Sequence, residues 1–181
     1  MNALVLLANG FEEVEGLTQV DFLRRGGINV TAASIHDTKK ITGAHNIIVE
    51  ADALLSETNT KDYDMVILPG GYNGMLNLGG SKAVVSLLKD FAQKDKWIAA
   101  ICAAPSVLGD NGLVKGKKCT CYPGFEDRLT GGELSTEEVV VDGKLITSRG
   151  PGTALPFALK IIEMLAGKEK SVEVGKDALY L

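Results

Sequence analysis

No run of about twenty apolar residues, the length a bilayer span requires, occurs in this chain. Its longest uncharged apolar stretch, residues 97–109, is interrupted by Pro105, so insertion into a membrane is not expected. There is also no block of five or more lysines and arginines, and the net charge is −4. Capture of a nucleic-acid backbone therefore lacks an electrostatic basis. Histidine is scarce, with His36 and His45 only, and cysteine amounts to three residues with no CxxC pair. An odd cysteine count without paired spacing argues against a disulfide scaffold. The apolar run at residues 3–8 has no basic leader and is too short for a signal h-region. It reads as a strand, and the expected location is the cytoplasm, with reduced thiols.

What is present fits an ordinary globular protein: 181 residues, 45% hydrophobic and 23% charged. A chain of that length is expected to form one domain over residues 1–181. Strand-length apolar runs alternate with segments of helical period, which is the pattern of βαβ units and a mostly parallel sheet. Strands are expected at residues 3–8, 28–35, 65–68 and 97–101. Helices are expected at residues 14–25, with Val14, Leu17, Val20 and Leu23 on the apolar face, and at residues 81–94, capped by Ser81. Residues 36–49 read as a hairpin excursion at the sheet edge, and Asp142-Gly143 as the turn of a second hairpin. A long helix over residues 153–165 and a shorter one over residues 170–179 close the chain. The fold class expected is α/β.

In a parallel sheet the ligand site lies beyond the carboxyl ends of the strands. Residues 9–15, 69–72, 148–152 and Cys102 occupy such ends. Cys102 stands where a strand turns into a helix, so its sulfur is expected near helix amides that favour a thiolate. The alternative is a small core filler, but the neighbouring Ala99, Ala100, Ala103 and Ala104 suit a strained elbow that admits little bulk. Glu12, Glu13 and Glu15 open a helix, where the dipole favours acids whatever their function. Glu15 is the sharper candidate if the fold aims it at Cys102, which would hold its carboxyl protonated as a hydrogen-bond donor. Gly70-Gly71 reads either as a plain turn or as backbone amides open to a developing oxyanion. Arg149, in Arg149-Gly150-Pro151-Gly152, is a possible partner for a carboxylate or phosphate. Cys119 and Cys121 flank Thr120 in an expected strand, and without further ligands nearby they do not make a metal site.

The segments Glu12-Glu13-Val14-Glu15, Leu68-Pro69-Gly70-Gly71, Ala99-Ala100-Ile101-Cys102-Ala103-Ala104-Pro105 and Thr147-Ser148-Arg149-Gly150-Pro151-Gly152-Thr153 resemble, in order and spacing, the ThiJ/PfpI superfamily in its DJ-one branch, which includes the parkinsonism-associated deglycase. The resemblance implies a flavodoxin-like sandwich, a homodimer, Cys102 as elbow nucleophile and Glu15 as its carboxyl partner. It also implies a pocket and oxyanion site lined by Gly70, Gly71 and Ala103, with Tyr122, Arg149 and Pro151 as further substrate-side positions. Two departures stand out. Ala103 follows the nucleophile where the peptidase-like branch has histidine, so the Cys-His pair of peptide hydrolysis is missing. Tyr122 stands where the deglycase branch often has histidine, and a phenol of ordinary pKa near ~10 is a poor base at neutral pH. The implied activity is cofactor-independent glyoxalase or deglycase chemistry on α-oxoaldehydes such as methylglyoxal and glyoxal, or on their early adducts. A redox-sensing or stress-response protein with an oxidisable Cys102 is the alternative.

Overall fold

The computed structural model describes residues 1–181. In chain order the elements are β1 (Asn2–Leu7), α1 (Glu13–Arg25), β2 (Asn29–Ser34), β3 (Lys40–Thr42), β4 (Ile48–Glu50), β5 (Ala53–Leu54), β6 (Met65–Leu68), α2 (Tyr72–Gly80) and α3 (Lys82–Gln93). They continue with β7 (Trp97–Ile101), α4 (Pro105–Asp110), β8 (Lys118–Cys119), β9 (Glu133–Leu134), β10 (Val139–Asp142), β11 (Leu145–Ser148), α5 (Ala154–Ala166) and α6 (Lys168–Asp177). The main sheet has the order β10-β11-β7-β6-β1-β2-β5, parallel throughout except for the β10–β11 pair. This is the mostly parallel α/β arrangement expected, and no helix is long and apolar enough to cross a membrane.

The strands β1, β6 and β7 are apolar on both faces and almost wholly buried, as strands must be when helices cover both sides of a sheet. The chain leaves β1 for β2 on one side and returns to β6 on the other. That reversal opens a crevice at the carboxyl ends of β1 and β6, the usual ligand position in open α/β sheets. The Asp142-Gly143 hairpin forms as expected, with Gly143 at φ +59°. Ser81 caps α3, its hydroxyl accepting the Val84 amide.

The structure departs from the sequence expectations in several places. Residues 36–49 do contain a hairpin, but β3 and β4 form a separate two-stranded sheet rather than an edge of the main one. A helix, α2, follows Gly71 where only a turn was read. Cys121 lies outside β8, which ends at Cys119. Helix α1 is rotated relative to the apolar face read from its sequence. Val14 and Leu17 are exposed, whereas Glu13, Glu15, Gly16, Gln19 and Leu23 are buried. Gln19 Nε2 donates to the Ala154 carbonyl at 3.0 Å, docking α1 on α5. On this inward face Glu13 accepts the His45 amide and Glu15 accepts the Gly70 amide.

Candidate active site

Cys102 follows the last residue of β7 and has φ +65°, the left-handed region that L-residues other than glycine seldom occupy. Such a conformation costs on the order of 1–3 kcal/mol and persists only where surrounding bonds fix it. Here the Cys102 amide donates to the Ser148 carbonyl at 3.0 Å, and its carbonyl accepts the Tyr122 amide at 2.8 Å. One turn on, the Ser106 hydroxyl donates to the Ala103 carbonyl at 2.6 Å. Pro105 then starts α4 at a position where its missing N–H leaves nothing unsatisfied. The strained elbow expected from the small residues around Cys102 is thus present, and the side chain is turned toward α1 and the Gly70 turn.

Glu15 comes from the second residue pair of α1 and is fully buried. Its Oε2 accepts the Gly70 amide at 2.8 Å, and its buried Oε1 has no hydrogen-bond partner. The Cys102 thiol is the titratable neighbour of this carboxyl. Gly70 lies between the two side chains. A Cβ there would stand 2.5 Å from both Cys102 Cβ and Glu15 Oε2. Gly71 has φ +84° and lies against the Gly10 carbonyl and the Glu12 amide, so it too admits no side chain. The backbone N–H groups of Gly71 and Ala103 face the Cys102 sulfur and favour its anion. Gly70→Ala is therefore expected to cut any Cys102-dependent turnover by about 10²-fold and to destabilise the fold by about 1–3 kcal/mol through overpacking. Thermal unfolding and steady-state rates on the same preparation would check this, and an unimpaired rate would show that the turn does not set the spacing of the pair.

Burial dominates the electrostatics of the pair. It raises the Glu15 carboxyl to about 7, against the lowering effect of the Gly70 amide and the thiol. Burial, followed by the charge of an ionised Glu15, raises the Cys102 thiol to about 12. The depressed thiol pKa expected from the helix N-terminus is therefore not what the site gives when Glu15 carries the charge. The two groups titrate as one system. Between about 7 and about 12 they share one proton, and a thiolate exists in that range only if the proton resides on Glu15. The other cysteines are different. Cys121 is pushed up to about 11 by burial, and Cys119 is also raised by burial.

The remaining residues named from the sequence distribute unevenly. Tyr122 touches the elbow through its backbone, while its ring packs against Gly150 and is 45% exposed. Pro151 is exposed at the start of a short turn. Arg149 lies beside Cys121 and lines a cavity with it. No hydrogen bond links its side chain to Glu15, and its amide donates to Thr153 Oγ1.

From the sequence Glu13 reads as an ordinary helix-start acid. In the structure its Oε1 accepts the His45 amide at 2.7 Å and its Oε2 bonds His45 Nδ1 at 2.9 Å. Glu12, Glu13 and His45 bring ligand atoms within 4.8 Å of one another, the one grouping compact enough for a metal ion. Its hydrogen bonds already give it a structural role, clasping the β3–β4 hairpin onto α1. The burial of Glu13 was unreadable from a pattern in which only apolar residues mark the inward face.

The family model described as "DJ-1/PfpI family" matches residues 1–164. Protein dj-1beta of Drosophila melanogaster is 44% identical over 180 residues, covering 98% of this chain and 96% of that protein. The crystal structure of Drosophila melanogaster DJ-1beta superposes with a TM-score of 0.96 at 43% identity, covering 99% of this chain and 98% of that one. A Caenorhabditis elegans protein named glutathione-independent glyoxalase DJR-1.2 is 37% identical over 173 residues, covering 94% of this chain and 91% of that protein.

Proposed function

The chain belongs to the DJ-1/PfpI family, and on that premise we propose that it is a glyoxalase acting on methylglyoxal and related α-oxoaldehydes without glutathione, with Cys102 as nucleophile. The observation that carries this reading is the buried, unpartnered Oε1 of Glu15 beside a thiol held on a left-handed elbow. A buried carboxyl oxygen without a partner is costly. Protonated, it donates to sulfur and makes the thiolate. The relative named a glutathione-independent glyoxalase supports the substrate class.

In the reaction the Cys102 thiolate adds to the aldehyde carbon, forming a C–S bond, and the aldehyde oxygen takes the Glu15 proton. The amides of Gly71 and Ala103 are placed to steady the oxygen as charge builds on it. The Glu15 carboxylate then removes the proton from the former aldehyde carbon and returns it to the ketone carbon, while the hemithioacetal hydroxyl proton passes to the ketone oxygen, leaving a 2-hydroxy thioester. This internal shift oxidises one carbon and reduces its neighbour, so no external oxidant is needed. Water cleaves the resulting thioester, releasing lactate and restoring the thiol. Early adducts of oxoaldehydes with amines and thiols enter the same sequence once the adduct releases its amine or thiol and regenerates the aldehyde, the deglycase variant of this chemistry. The test is lactate formation from methylglyoxal by the purified protein in the absence of glutathione. Lactate formed at a rate proportional to enzyme is the expected result, and none above the buffer rate would sink the proposal.

The working form is proposed to be a homodimer in a reducing compartment, all three cysteines being free thiols. Val14 and Leu17 on α1, with Ile47 and Ile48 on the hairpin, are large apolar residues left exposed. The Ile47 amide bonds Glu13 Oε1 at 3.4 Å, so both elements contribute to one surface. A second copy of the chain would cover it. Light scattering across a dilution series should give twice the chain mass for wild type and the chain mass for Ile48→Glu. A monomer at every wild-type concentration would remove the dimer.

A further inference from the structure

A cavity of about 240 Å³ lies beside the elbow, between the segment after β8, the segment after β9 and the end of β11. Thr120, Cys121, Glu126, Leu134, Ser135 and Arg149 line it. The reaction described above uses none of these side chains.

The polar groups in it are unusually unpaired. Arg149 is half-buried, and its guanidinium takes part in none of the ion pairs of the protein. Glu126 is also half-buried and outside any ion pair. Its Oε2 accepts the Gly124 amide at 2.6 Å. Thr120 is 1% exposed and its Oγ1 has no hydrogen-bond partner, although its amide is satisfied by Thr147 Oγ1 at 2.9 Å. Buried hydroxyls are ordinarily bonded. One cation and one anion thus line the same cavity without bonding each other, and an orphaned hydroxyl is among its walls. Both charges act on the Cys121 sulfur, Glu126 raising its pKa and Arg149 lowering it.

A simple anion would meet Arg149 but be repelled by Glu126, and a simple cation would meet the reverse. A molecule with both charges satisfies both. We propose that this cavity binds a small zwitterion of the α-amino acid class, its carboxylate on Arg149 and the Thr120 hydroxyl and its ammonium on Glu126. A planar guanidinium receives a carboxylate through two parallel hydrogen bonds. Cys121, a neutral thiol at ordinary pH, and Leu134 give apolar walls for a short aliphatic side chain.

The experiment uses Cys102→Ala protein, so that neither turnover nor its absence affects the reading, and follows binding by amide chemical-shift titration. The ligands are L-valine, 2-hydroxy-3-methylbutanoate, which replaces only the ammonium, and isobutylamine, which lacks the carboxylate. Valine should bind at least ~10-fold more tightly than either analogue and shift the amides of Thr120, Cys121 and Arg149, each charge-assisted bond lost being worth about that factor. Glu126→Gln should bring valine down to the affinity of the hydroxy acid, and Arg149→Gln should weaken both carboxylates while leaving the amine unchanged. Both variants must retain the wild-type spectrum outside the cavity. Should Arg149→Gln fail to fold, Thr120→Val, which deletes only the orphaned hydroxyl, should still weaken valine and the hydroxy acid together. Equal binding of valine and the hydroxy acid to unsubstituted Glu126 protein would overturn the proposal, as would shifts confined to residues outside the cavity or no saturable shift with any ligand.

Discussion

Cys102→Ala is expected to bring methylglyoxal turnover down to the uncatalysed rate, because no other thiol in the chain can take over the addition step. Cys119 and Cys121 are buried, and burial raises both thiols, Cys121 to about 11. The carboxylates near them, Asp142 for Cys119 and Glu126 for Cys121, raise these thiols further. Cys102→Ser keeps the elbow geometry and a hydrogen-bonding group, yet it too should be inactive, since a hydroxyl is not ionised by a carboxyl near neutral pH. Lactate formation measured for wild type and both variants, with circular dichroism to verify folding, provides the check. Turnover remaining in Cys102→Ala would move the chemistry away from the elbow altogether.

Glu15 should show a graded effect, because it has two separable duties. Glu15→Gln keeps a donor to sulfur and an acceptor for the Gly70 amide but cannot pass a proton, so turnover should fall by about 10²-fold or more while the thiolate survives in part. Glu15→Leu removes the donor as well. Burial, the largest cause of the raised thiol, is then opposed only by the Gly71 and Ala103 amides, and the remaining turnover should vanish. The Gly70 amide also loses the acceptor it meets at 2.8 Å, at a cost of about 1–3 kcal/mol for a buried unsatisfied group. Steady-state rates and thermal unfolding of both variants separate the two duties. Equal rates in Glu15→Gln and wild type would show that no proton passes through this residue.

Part of this site could be read from the sequence because its logic is local. The strands β1, β6 and β7 are continuous apolar runs, and Cys102 follows one of them among alanines that an elbow requires. Arrangements set by tertiary contacts were less legible. The face of α1 was misassigned because its inward side carries Glu13, Glu15 and Gln19, whose burial depends on His45, Gly70 and Ala154, all distant in sequence. Helix α2 contains Gly74, Gly79 and Gly80, poor helix formers that conceal it. Gly74 is needed where the helix crosses Phe11, since a Cβ there would lie 2.7 Å from the Phe11 Cα. Glu15 could be named as a partner for Cys102, but its competing charge could not be weighed without knowing how completely the pair is buried. The direction of a long side chain such as Arg149 is likewise set by the fold, which turns it toward Cys121.

In the proposed nucleophile the shared proton resides on Glu15, and ultraviolet thiolate absorbance of the wild-type protein against pH tests that directly. With the proton on Glu15, loss of the first proton from the pair exposes the thiolate. Its absorbance should then rise through about 7, where the pair first titrates, and the rise should be absent from Cys102→Ala and move upward in pH in Glu15→Leu. A thiolate signal that stays flat through neutrality and appears only toward about 12 would place the proton on sulfur and contradict the proposed nucleophile.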